Sequence, residues 1–213
     1  MRAPPSLAPA LSDLSPMLLS EIPRPFSDSA WGFEIKFDGY RILAAAGAEG
    51  VKLKSRNGAD ASRWFPEITS TLKAVASRRL IVDGEVCVLD DIGRSDFDRL
   101  HARARKRGPD SGEPVVFCVF DVLASQGKSV MDRPLIARKK LLAPLRGLPG
   151  VLVVDHIPEE GEALYQHVLA LKLEGLVAKR LDSLYQPGVR SMDWLKIKRP
   201  GAVPAKRFNR SKA

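Results

Sequence analysis

The stretch WGFEIKFDGYR, Trp31 to Arg41, decides how this chain is read. Phe33, Ile35 and Phe37 alternate with Glu34, Lys36 and Asp38, the period of a half-buried strand, and Gly39 breaks the pattern. Downstream, RILAAAG and VKLKS read as further strands. LIVDGEVCVLD, VVFCVFDVLA, VLVVDHI, GLVAKRL and DWLKIK read the same way. Helical spacing links Trp64, Phe65, Ile68, Leu72 and Val75. FDRLHARARKR carries Phe97, Leu100 and Ala104 on one side. Pro134 suits the first turn of a helix running to Leu145, and EALYQHVLALK is a fourth helical segment. Hairpin-like strand pairs mixed with single helices give an α+β fold with mostly antiparallel sheets.

Upstream, Met1 to about Ser29 is rich in Pro, Ser and Ala and reads as an extended lead-in or linker. This divides the chain into a lead-in (1–29), one globular domain (30–200) and a basic tail (201–213), too short to hold a further domain. The 213 residues are 45% hydrophobic and 28% charged, enough for a sizeable core. No stretch has the apolar length of a membrane span and the N-terminus makes a poor signal peptide, so the expected location is cytoplasmic, with no membrane partner. The formal charge of +9 points to a polyanionic partner such as nucleic acid, and basic residues cluster at HARARKR (His101 to Arg107) and from Lys198 to Lys212. Cys87 and Cys118 lie in apolar runs and read as small buried hydrophobes. The three His are scattered, so no zinc pattern forms.

No GxxxxGK[ST] loop, GxGxxG turn, HExxH helix or GxSxG elbow is present. The chemistry must come from charges set on strands that otherwise look buried: Lys36, Glu85, Asp121, Glu174, Lys179, Lys196 and Lys198. Each alone fits the solvent face of a one-sided sheet. Together they supply the cations and carboxylates that a phosphate and its metal require. Trp194, Lys196 and Lys198 share one strand face, opposite Leu195 and Ile197. Two ammonium groups there suit a phosphate and would lower the pKa of a third, neighbouring lysine. Glu174 and Lys179 are five apart, so an unbroken strand would set them on opposite faces, unless Gly175 bends the chain.

KFDGYR (Lys36 to Arg41) resembles the KxDGxR signature of the covalent nucleotidyltransferases, the ATP-dependent DNA ligases and mRNA-capping enzymes. SRNG (Ser55 to Gly58), DGE (Asp83 to Glu85), FDVL (Phe120 to Leu123), EGLVAK (Glu174 to Lys179) and LKIK (Leu195 to Lys198) resemble that superfamily's further signatures, in its order. The run EGLVAKRLDSLYQPGVRSMDWLKIK is especially similar to the ligase domain of the bacterial end-joining ligase D family, and the resemblance extends from about Pro16 to Pro200.

The resemblance implies an ATP-grasp-like nucleotidyltransferase fold, its antiparallel sheets flanked by helices and its nucleotide site between them. It implies that Lys36 takes AMP from ATP as a phosphoramidate and passes it to a DNA 5′-phosphate, after which a 3′-hydroxyl seals the nick. Glu34 would lie at the adenine edge, and Ile35 would line the nucleotide site. Arg41 and Arg56 would lie near ribose and phosphate, and Phe120 would stack on adenine. Lys179, Lys196 and Lys198 would line the nucleotide site, with the last two on the α-phosphate. Glu85 would contact the ribose or the metal, and Glu174 would hold the Mg²⁺ or Mn²⁺. The implied partners are nicked or broken duplex DNA and the end-binding protein Ku, in a nucleoid-associated bacterial setting. Ligases of the family continue into an OB-fold domain. With only a short tail after LKIK, slow self-adenylation is the expectation. An RNA-ligase or capping-type enzyme and a non-catalytic DNA-binding scaffold share parts of this pattern and stay open.

Overall fold

Two sheets face each other, and the chain builds one of them from neighbouring segments and the other from distant ones. The computed structural model describes residues 6–106 and 112–202. The first sheet contains β1 (Leu18–Glu21), β2 (Asp28–Ile35), β9 (Ile157–Glu159), β10 (Gly175–Arg180) and β11 (Arg190–Lys198), in the order β1-β11-β10-β2-β9. The second contains β3 (Tyr40–Gly47), β4 (Gly50–Ser55), β5 (Leu80–Cys87), β6 (Val116–Ser125) and β7 (Lys128–Ser129), in the order β4-β3-β5-β6-β7. A short β8 (Val151–Val153) also pairs with β6. Pairing is antiparallel except between β1 and β11 and between β6 and β8.

Strand alternation sorts the side chains. In β3 and β5, Ile42, Ala44, Val82 and Val86 pack into a core with Phe65, Ile68 and Leu72 at α1 (Pro66–Leu72). On the first sheet, Phe33, Leu176, Ala178, Leu195 and Ile197 pack on Leu164, Tyr165 and Val168 of α4 (Gly161–Ala170). The opposite faces of both sheets, which carry the charged positions, are thereby turned toward each other. Trp194, Leu43, Ile81 and Leu123 close the deeper part of that interface.

Several expectations are revised. The lead-in is no linker: β1 lies parallel to β11, and Leu14 and Met17 are buried. Strand β2 ends at Ile35, so Lys36 begins the following loop. The helix after Pro134 is α-helical only in α3 (Leu135–Lys139). It tightens to a 3₁₀ helix over Lys140–Leu145, where Pro144 supplies no backbone donor. The strand expected at VLVVDHI covers only Val151–Val153. Helix α2 (Phe97–Lys106) buries Leu100 as expected, but also buries Arg103, which ion-pairs with Glu67. The HARARKR cluster is therefore not one solvated basic face. Its last residue and the tail beyond 202 lie outside the described residues.

Candidate active site

The site is assembled where the strand ends β2, β10 and β11 meet the face of β3, β5 and β6. The amide of Lys36 donates to the carbonyl of Gly175 at 3.0 Å, and Gly175 pairs with Lys198 across β10 and β11. Lys36, just past the end of β2, thus forms one row with Gly175 and Lys198 across the sheet. With about 4.8 Å between strands, the two lysine backbones stand roughly 10 Å apart with a side-chain-free residue between them. Glycine is required there, because a Cβ at Gly175 would lie 2.2 Å from the carbonyl oxygen of Ile197. The Lys36 ammonium lies 2.6 Å from a carboxylate oxygen of Glu174. Glu174 precedes β10, so strand alternation does not bind it, which removes the conflict with Lys179.

Lys196 and Lys198 share one counter-ion. One oxygen of Glu21, from β1, lies 3.1 Å from the Lys196 ammonium and 3.2 Å from that of Lys198. The Lys179 pKa falls to about 8. Its burial is the main cause, and the Lys139 charge adds to it against the pull of Glu34. Glu34 sits between Lys139 and Lys179, at 2.6 and 2.7 Å, in contact ion pairs that are close but poorly aligned as hydrogen bonds. Burial opposes the Glu34 charge, yet these two ammonium groups outweigh it and hold the carboxyl below its ordinary range.

Phe120 reaches this space through an irregularity. Asp121 pairs with Asp83 and Val119 with Gly84, so Phe120 is skipped in the β5–β6 ladder. Such a bulge re-aims a side chain. The Phe120 ring meets Arg41 at 4.6 Å and the Lys179 ammonium at 4.2 Å, so adenine stacking would have to displace a cation from it. Arg41 is itself fixed by Asp83, with contacts of 2.6 and 2.7 Å, and Tyr185 donates to the same carboxylate at 2.6 Å. Arg56 is exposed on the turn after β4. Ile35, the last residue of β2, lines a cleft with Lys36, Asp38, Arg94, Lys172, Glu174 and Arg199.

Two further carboxylates near Lys36, Glu85 and Asp38, are poorly neutralised. Glu85 accepts from the Gly39 amide at 3.2 Å, but its pKa rises to about 7. Burial is the cause. Arg41 and Lys36 counteract it only in part, because Asp83 has already claimed the Arg41 guanidinium. Asp38 rises to about 6 through burial and the neighbouring Glu174 charge. Among the described residues, no three of His, Cys, Asp and Glu are gathered as a metal cage. The available hard oxygens suit an ion held by one or two carboxylates plus substrate oxygens. Glu21, Asp38, Asp83, Lys139 and Tyr185 are site neighbours that the sequence reading did not single out. Asp38 and Asp83 lie inside the KFDG and DGE motifs, whereas Glu21 and Lys139 carry no local signal.

The layout defines a nucleotide-handling domain with a lysine at its mouth, and comparison with known proteins agrees. Residues 9–198 match the model of the ATP dependent DNA ligase domain, so this chain belongs to that family. It is 34% identical over 187 residues to the multifunctional non-homologous end joining protein LigD of Mycolicibacterium smegmatis, covering 87% of this chain and 24% of the relative. It is also 34% identical to the SPbeta prophage-derived DNA ligase-like protein LigB of Bacillus subtilis, covering 86% and 67%. The chain thus spans about a quarter of the mycobacterial LigD proteins it matches. The crystal structure of the ligase domain from M. tuberculosis LigD superposes with a TM-score of 0.78 at 33% identity, covering 89% of this chain and 60% of that one. A mycobacterial DNA ligase D complexed with ATP and MES gives the same TM-score and identity, covering 89% and 61%. The α+β fold with antiparallel sheets is that of these ligase domains. No helix among the described residues is long and apolar enough to cross a membrane.

Proposed function

We propose that this domain takes AMP from ATP onto Lys36 and passes it to the 5′-phosphate of nicked or broken duplex DNA. The observation that carries this reading is the Lys36–Gly175–Lys198 row, with Glu174 on the Lys36 ammonium. A lysine must lose a proton before it can attack phosphorus. Glu174, at 2.6 Å, is the carboxylate in contact with that proton. The new bond joins Nζ of Lys36 to the α-phosphorus, and the bond to pyrophosphate breaks. Lys196 and Lys198 oppose the charge spread over the phosphoryl oxygens, where fixed cations contribute most. Glu34, buried and charged between two lysines, is assigned to the adenine edge, and Arg41, held rigid by Asp83, to the ribose and phosphate.

Glu85 and Glu174 are the residues that would hold Mg²⁺ or Mn²⁺, and the raised pKa of Glu85 marks a carboxylate suited to a further cation. When bound, the ion neutralises phosphate charge. Broken duplex ends are the partner that fits the end-joining names of the relatives, and an end-binding protein such as Ku is the partner that the sequence resemblance suggests. Intact mass after incubation with ATP and Mg²⁺ tests the reading: one added AMP is expected, lost on addition of nicked DNA, and absent in Lys36→Ala. An adduct that persists in Lys36→Ala would overturn the assignment. A wild-type chain that never acquires AMP would favour the scaffold instead.

A further inference from the structure

The two lysines assigned to the α-phosphate are already holding an anion. One Glu21 oxygen touches both ammonium groups, at 3.1 and 3.2 Å. That is the placement a non-bridging phosphate oxygen would take between the same two cations. The contact follows from the fold: β1 runs parallel to β11 with Glu21 in register with Lys196, while Lys198 lies two residues along on the same face. The Glu21 side chain is 50% exposed, against 24% and 26% for the two lysines, so it lies on the solvent side of the pair. A carboxylate placed there can swing outward without opening any core.

We propose that Glu21 is an internal stand-in for the nucleotide phosphate. It keeps Lys196 and Lys198 together and charge-compensated while the site is empty, and it gives way when ATP enters. This rests on the reading that the two lysines bind phosphate. Glu21 is thus a specificity-determining residue that sets how strongly an anion must bind to enter the seat. A weak single anion competes poorly with a tethered carboxylate, whereas a nucleotide anchored elsewhere by its base displaces it.

The probe is α,β-methylene-ATP, which binds but cannot transfer AMP, measured by calorimetry on the full chain. Two partly exposed ion pairs are lost on displacement, so removing their carboxylate should tighten binding by about fivefold. Glu21→Gln has the same shape and should fold normally. We expect its Kd for the analogue to fall about fivefold, and its KM for ATP to fall in parallel. In a Lys198→Ala background the gain from Glu21→Gln should shrink toward twofold, because one of the two contacts is already gone. If Lys198→Ala leaves the affinity unchanged, the phosphate seat itself is misplaced, and both readings fall. If Lys198→Ala weakens binding while Glu21→Gln leaves it unchanged or also weakens it, the seat stands and the stand-in is refuted. A gain of the same size in both backgrounds also refutes it, since the effect would then be general charge and not competition at these lysines.

Discussion

Replacing Glu85 by glutamine should stabilise the empty domain at alkaline pH. Glu85 lies on the face of β5 that looks toward Lys36, and its natural counter-ion, Arg41, is bound in a two-point contact to Asp83. Burial therefore raises its pKa from 4.5 to about 7. A shift of that size corresponds to about 3 kcal/mol, and partial exposure of the residue reduces the expected effect to about 2 kcal/mol. The direction follows from proton counting. Between pH 4.5 and 7 the folded form keeps a proton that the unfolded form has released, so this group's contribution is full below pH 4.5 and is lost as pH rises through 7. Asp38, raised to about 6, acts in the same direction and remains in the variant. Glutamine resembles the protonated acid, so Glu85→Gln should match wild type near pH 4.5 and exceed it by about 2 kcal/mol at pH 8. Urea unfolding of both proteins across that range measures the difference. A difference that does not grow with pH would show that Glu85 ionises as an ordinary glutamate, and the account of Arg41 as already taken would fail.

Other substitutions probe separate links. Glu174→Gln keeps the shape but removes the carboxylate from the Lys36 ammonium, and adenylation should fall by about a hundredfold or more in single-turnover assays. Gly39→Ala would set a Cβ 2.1 Å from the Val86 carbonyl oxygen and push the Lys36 loop off β5. Since displacement of about 1 Å can cost on the order of a hundredfold, AMP transfer should collapse while the circular dichroism spectrum is retained. Arg138→Met strands the fully buried Asp121 carboxylate and should cost about 3–5 kcal/mol in urea unfolding.

Most strand segments were legible because alternation is a local property, although it carried β2 past its end at Ile35 and placed Lys36 on the strand. Lys36, Glu85, Glu174, Lys196 and Lys198 could be nominated as candidates because each lies inside a short motif. What the sequence hid depends on pairing between distant segments. Glu21 matters only because β1 docks on β11, and a Pro-rich flank gives no sign of that. Lys139 reaches Glu34 from a helix far along the chain. The bulge that aims Phe120 is a difference of one residue between two ladders, which no periodicity in β6 alone records. The loss of Arg41 to Asp83 likewise required knowing that β3 and β5 are neighbours.

The parallel contact between β1 and β11 also bears on how the domain comes into being. Strands β3 to β7 are close in sequence and can zip together early. The other sheet joins Leu18 and Leu19 to Arg190 and Ser191, and loop closure of that length is slow. On the ribosome, the second sheet can assemble while β11 is still unmade. β1 must then wait for its partner. During that interval β10 offers an unpaired edge, the kind of surface on which chains aggregate. The segment that completes the strand carrying Lys196 and Lys198 is therefore also the last seam to close. Conditions that slow synthesis near residue 190 should influence the yield of soluble protein more than the same delay near residue 120.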